Sequence, residues 1–158
     1  MSYHIDLQHA CDEPIPVSDE SLRTWAELAL LEHMDSAELT LRLVDPTEIT
    51  DLNHTYRHQN KPTNVLAFPS ELPDNIELDY PLLGDVIICP LVLQQESQES
   101  GKSLQEHWAH IVIHGVLHLL GYDHIKDSDA GIMQALEVKL LSKLGFANPY
   151  QTEGDNVE

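Results

Sequence analysis

The chain is expected to fold as α+β, or as α/β, with one mixed sheet of about four strands packed against helices. Three features of the sequence predict this. Short apolar or alternating runs of strand length occur at 3–9, 38–44, 64–68 and 84–89. Amphipathic stretches with capping residues lie between and after them. The helical signals gather in the second half, which favours segregated helices over a regular alternation.

Residues 3–9 (YHIDLQH) alternate apolar and polar and read as a strand. Ser18 is placed to cap a helix opening with Asp19 and Glu20, whose buried stripe would be Leu22, Trp25, Ala26, Ala29 and Leu30. Residues 38–44 (ELTLRLV) put Leu39, Leu41 and Leu43 on one face, as in a half-buried strand. Asp45-Pro46-Thr47-Glu48 starts a helix: Asp45 is expected to cap, Pro46 fits the first helical position, and Glu48 is expected to reach back to the cap. That helix should end near Tyr56 or Arg57. NVLAF (64–68) and GDVIIC (84–89) are strands bounded by Pro or Gly, joined by a Pro-rich, acidic connection over 69–83. Pro90 opens a helix that Gly101 ends, and Ser103-Leu104-Gln105-Glu106 is a capping box for the next. That helix runs through the apolar stretch 111–120 to Gly121, which suits the left-handed conformation of a helix C-terminus. A last helix is expected from about Asp127 to Leu144, striped by Met133, Leu136, Leu140 and Leu144. Residues 1–150 then form one domain, and 151–158 an acidic tail expected to be disordered.

The 158 residues suit one core. With 27 acidic against 8 basic side chains the net charge is −19, which argues against non-specific nucleic-acid binding while leaving room for a local basic cleft. No apolar run is long enough to span a membrane, and MSYHIDLQHA lacks the basic and apolar regions of a signal peptide. A cytoplasmic protein is expected, with Cys11 and Cys89 as reduced thiols.

Ten histidines are a surplus, and five fall between His107 and His124. His114 and His118 are four apart on a helix, so both rings leave one face. Gly121 turns the chain and His124 returns three residues later. The spacing H-x-x-x-H-x-x-G-x-x-H is that of the metzincin zinc site. Three imidazoles leave a fourth position for water, as in a catalytic zinc site. Core or surface histidines unrelated to metal are the plain alternative, which three residues at ligand spacing disfavour. Asp123 reads as a supporting group around the metal rather than a ligand. His107 and His110 read as polar helix positions or groups behind the ligands. Where the zinc proteases carry a general-base Glu, this chain has Gly115, which cannot move a proton. Proteolysis is thereby weakened, and phosphodiester chemistry stays open: a diester offers an anionic oxygen, and RNA carries its own 2′-OH nucleophile.

Arg57 stands with His54, His58 and Lys61 in the one locally cationic stretch of the sequence. A guanidinium holds phosphate with two parallel hydrogen bonds and can stabilise charge in a phosphoryl transition state. Solvated loop charges, or an Arg57–carboxylate pair, are the alternative. Asp85 is either an acceptor behind a ligand imidazole or a turn residue. Tyr122 either meets substrate or packs beside the turn.

HGVLHLLGYDH resembles the signature of the YbeY family, bacterial metal-dependent endoribonucleases of ribosomal RNA maturation. Asn53–Phe68 (NHTYRHQNKPTNVLAF) resembles the family's N-x-x-[YF]-R-x-x-x-x-P-T-D-V-L-S-F, and LGDVII (83–88) its L-G-D-I-x-I strand. The resemblance implies that His114, His118 and His124 hold one zinc ion per chain. It implies Arg57 as a required arginine of the cleft; Arg57 and His114 are the expected catalytic residues, and Arg57, Lys61 and His58 of the cationic stretch the candidate substrate contacts. It implies cleavage of single-stranded RNA at the 3′ end of 16S rRNA, in ribosome maturation and quality control, with the small ribosomal subunit as partner and neither DNA nor membrane involved. Asn64 and Ala67 depart from the family's Asp and Ser, which puts an acid or hydroxyl role at those two positions in doubt. A metalloprotease and a non-enzymatic assembly factor with structural zinc are the competing readings.

Overall fold

The computed structural model describes residues 2–70, 81–122 and 127–150. In chain order it contains β1 (Ser2–Ala10), α1 (Asp19–Leu30), β2 (Ser36–Val44), α2 (Pro46–Arg57), β3 (Val65–Pro69), β4 (Leu82–Ile88), α3 (Pro90–Ser100), α4 (Leu104–Leu119) and α5 (Asp127–Lys143). The strands form one sheet in the order β1-β2-β4-β3. β1–β2 and β2–β4 are parallel, and β3 runs antiparallel to β4. The mixed four-stranded sheet expected from the sequence is therefore present, with β3 at its edge. Among the described residues no helix is long and apolar enough to cross a membrane.

Strand alternation divides the core between the two faces of the sheet. Leu39, Leu41 and Leu43 of β2, with Val86 and Ile88 of β4, pack against α1, α4 and α5. The opposite face carries a smaller cluster of Val44, Leu66 and Ile87, covered by Ile49 of α2. All five stripe residues expected in α1 are buried. Each large one contributes roughly 1.5–3 kcal/mol through its removal from water.

The caps show where local signals sufficed. Ser18 Oγ accepts from the Ser21 backbone N–H (3.0 Å), and Ser103 Oγ accepts from that of Glu106 (3.1 Å). α2 differs from expectation. Asp45 makes no side-chain cap; its Oδ1 accepts from the Asp12 backbone N–H at 3.2 Å. Glu48 does not reach back either, because Arg42 on the adjacent strand takes both of its oxygens (2.7 and 3.1 Å). A charge-assisted tertiary pair outcompetes the local one. The acidic connection is described only at its ends, so the expectation for 71–80, like that for the tail 151–158, lies outside the described residues.

Two glycines are needed for close approach. A Cβ on Gly84 (φ +135°) would collide with the Phe68 carbonyl oxygen of the paired strand. A Cβ on Gly115 of α4 would lie 2.6 Å from Val86 Cγ1 and 3.4 Å from Val65 Cγ2. α4 thus sits hard against β4 and β3 at this point, and that contact fixes the height of its histidines over the sheet edge.

Candidate functional site

α4 carries His107, His110, His114 and His118 at separations of three, four and four, which aligns them along one side of the helix. Consecutive ring centroids are 6.4, 6.2 and 4.7 Å apart, each pair close to edge-on. The opposite side of α4, from Trp108 to Leu119, is buried.

Carboxylates from two other helices hold this row. Glu96 of α3 meets His107 Nε2 at 2.8 Å and accepts from Asn64 Nδ2 at 3.2 and 3.3 Å. Glu137 of α5, fully buried, meets His114 Nδ1 at 2.6 Å and His110 Nε2 at 3.1 Å. The Tyr150 hydroxyl donates to the same carboxylate. Burial pushes the Glu137 carboxyl up, but hydrogen bonds from His110 and His114 and the charge on those rings outweigh it, holding the group at about 2. Burial also works against ionisation of Glu96, and its bonds to His107 and Asn64 again bring the carboxyl below the ordinary value. Tyr150 responds in the opposite sense: burial and the Glu137 charge push its phenol up.

An ionised carboxylate only accepts hydrogen bonds. The His114 nitrogen facing Glu137 is therefore the protonated Nδ1, and coordination by His114 falls to Nε2. His110, Nε2 to the carboxylate, is held in the same way. The potential ligand atoms of His110, His114 and Glu137 all lie within 4.8 Å of one another, a group compatible with a metal ion. Imidazole and carboxylate donors also suit a divalent transition metal chemically.

A cleft of about 590 Å³ joins this row to the end of α2. His114, Gly115 and His118 form one wall, Tyr56 and Arg57 the other. Residues of both parities of β3 line it between them, so the cleft follows the sheet edge. α2 ends with His58 in the left-handed conformation (φ 59°, ψ 30°), a strain of roughly 1–2 kcal/mol for a residue with a Cβ. Buried Asn53 donates from Nδ2 to the Lys61 carbonyl at 2.9 Å, tying the loop after the helix back to it. Those two features turn the chain from the end of α2 into β3, and Tyr56 and Arg57 of the last helical turn line the cleft.

The structure thus brings together Arg57, His114 and His118. His124 and Asp123 lie outside the described residues. His58 and Lys61 are exposed in the loop that follows Arg57 and do not line the cleft. The expectation of Asp85 as an acceptor behind a ligand is corrected. Asp85 is one residue out of phase with Val86, so strand alternation turns it away from α4, into a separate cleft with Arg42 and Glu48. Tyr122 bonds His33 Nε2 through its hydroxyl at 2.8 Å and packs against the core. Asn64 lines the cleft and acts as an amide donor to Glu96, which an aspartate could not do.

Sequence reasoning assigned nothing to Glu137, Glu96 or Tyr150. A signal for Glu137 was present: it lies four residues after Met133 and three before Leu140, on the buried stripe of α5. For Glu96 and Tyr150 the sequence offers no such cue.

Comparison with known proteins gives the same fold and names the family. A solution structure of a Thermotoga maritima protein shares the fold, with a TM-score of 0.59 at 23% identity over 92% of this chain and 99% of that one. An Endoribonuclease YbeY of Legionella pneumophila (strain Corby) is 61% identical over 158 residues, the whole of both chains. The Pseudomonas putida (strain W619) protein of the same name is 54% identical over 154 residues, 97% of each chain. The family model Endoribonuclease YbeY matches residues 9–145. With its fold shared and nearly its full length matched in this way, the chain belongs to the YbeY family of endoribonucleases.

Proposed function

We propose that this chain is a zinc-dependent endoribonuclease of single-stranded RNA, acting in the cytoplasm on the 3′ end of 16S rRNA during ribosome maturation and quality control. The observation that carries the reading is the single cleft shared by Arg57, His114 and His118. His114 and His118, completed by His124, would hold one zinc ion per chain, and zinc bound there supplies Lewis-acid polarisation of phosphoryl oxygens. Glu137 fixes the tautomer of His114 from behind, the usual task of a carboxylate next to a metal-binding histidine. Arg57 grips the phosphate across the cleft and stabilises the charge that develops on it.

Position 115 supplies no general base. The contact with Val86 leaves no space for a side chain there. The proton therefore goes to a group elsewhere, and RNA offers both its 2′-OH as nucleophile and an anionic phosphate oxygen as acceptor. The same packing counts against the metalloprotease reading, which needs a glutamate at that position. A net charge of −19 repels free RNA, so the small ribosomal subunit or one of its proteins delivers the substrate.

The test combines metal content with cleavage. Purified protein should carry about one zinc per chain, and His118→Ala should lose it. Arg57→Ala should keep the metal and lose cleavage of a single-stranded RNA. Metal-replete wild type that leaves such RNA intact at low salt refutes the proposal. Complete unfolding on chelation, with no RNA consumed, would instead indicate a structural ion.

A further inference from the structure

We propose that Tyr56 is a stacking platform for a nucleobase of the RNA strand in the cleft, and that it contributes to the preference for unpaired RNA. The inference rests on the endoribonuclease reading above and extends it from the phosphate to the base.

Among the described residues four large apolar side chains are exposed: Leu31, Tyr56, Ile132 and Tyr150. Tyr56 is the most open of them at 63%. Tyr150, the other aromatic, is occupied through its hydroxyl by Glu137. The Tyr56 ring leans against Phe68 of β3, with centroids 4.9 Å apart and planes at 59°. That contact steadies the ring from one side. Its position in the last turn of α2 makes it a wall of the cleft, next to Arg57 and across from His114 and His118. It also lines the neighbouring cleft of about 570 Å³ on the α2 side of the sheet. Tyr56 therefore forms the ridge between the two clefts, where a strand leaving the histidine row would cross.

Charge makes such a platform necessary. A protein of net charge −19 draws little affinity from the phosphate backbone. Stacking on an aromatic face is short-ranged and indifferent to that repulsion, and every base has a face to offer. A paired base keeps its faces inside the duplex, so only an unpaired strand can use the ring.

The experiment measures binding of the full-length, metal-replete protein to a fluorescein-labelled single-stranded RNA, alongside cleavage of the same RNA. Tyr56→Ala is expected to weaken binding by about 5- to 150-fold, the range for loss of one stacked base. Tyr56→Trp should bind like wild type, whereas Tyr56→Leu, which keeps an apolar contact with Phe68, should bind like Tyr56→Ala. The loss should be the same at low and moderate salt, while Arg57→Ala should lower the salt dependence by about one ion. An RNA with one abasic nucleotide at the stacking position should bind wild type as weakly as intact RNA binds Tyr56→Ala, and combining the two changes should add little. Equal affinity of wild type, Tyr56→Ala and Tyr56→Leu, with cleavage by wild type intact, overturns the platform and leaves the nuclease reading standing. Failure of wild type to bind or cleave any single-stranded RNA overturns both.

Discussion

On the α4 side of the cleft, each of His107, His110 and His114 has a ring nitrogen bonded to a carboxylate of α3 or α5, and Glu137 among those acids is fully buried. On the α2 side, Tyr56 and Arg57 are exposed, with Phe68 and one left-handed residue to steady them. The difference fits the roles proposed for the two sides. Coordination needs imidazoles fixed in tautomer and angle before an ion arrives. Gripping a long flexible chain needs side chains that face solvent and adapt. Substitutions on the first side should therefore register in stability and metal affinity, and on the second in RNA binding and turnover.

The sharpest way to break that contrast is Arg57→Ala. Cleavage of single-stranded RNA should fall by about 10²–10³, the loss expected for one donor to transition-state charge. The denaturation midpoint and the metal content should stay at wild-type values. A matching fall in stability would erase the distinction between the two sides.

Glu137→Ala should act the other way. It leaves two imidazoles and a phenol without their shared acceptor and should lower stability by about 3 kcal/mol, measured by urea unfolding. Zinc affinity, read by competition with a chelating dye, should drop 10- to 100-fold. Acid sharpens the point. The Glu137 carboxyl lies near 2 in the fold, below its ordinary 4.5. A depressed carboxyl stabilises the folded state above its unfolded value, and that stabilisation is lost as pH falls toward the folded one. Stability should thus decline from about pH 4.5 down to about 2, and Glu137→Gln should flatten that part of the profile.

Gly115→Ala tests whether the height of α4 matters. The added Cβ meets Val86, and overpacking of this kind costs roughly 1–3 kcal/mol. Urea unfolding reads that loss, and Gly115→Ala combined with Val86→Ala should recover part of it. The smallest effect is expected at Arg42–Glu48, a half-exposed pair on the α2 face. Arg42→Ala should change stability by less than about 1 kcal/mol at moderate salt.

These contrasts also mark how far the sequence could be read. Element order, the α1 stripe and the caps of α1 and α4 follow from local chemistry, and the structure has them. Strand order does not follow locally, because β3 joins β4 by reversing direction at a sheet edge. The expected cap at Asp45 failed because Asp12 and Arg42, distant in sequence, claim Asp45 and Glu48. The histidine spacing was legible since one helix carries it. For Glu137 the position on the α5 stripe was the one local signal; an acid on a helix is ordinarily solvated, and the packing of α5 on α4 is what gives that position its meaning. Asp85 was misplaced by the same limitation: its phase in β4 is local, but which face meets α4 is not.

The position of Glu137 has a consequence for biogenesis. Everything that shapes the cleft, from α2 to α4, is synthesised before α5. Until that last helix docks, the His110 and His114 rings lack the anion that orients them. A nascent chain emerging from the translation machinery would thus carry an unarmed nuclease, and competence to cut RNA would be acquired only when α5 settles against α4.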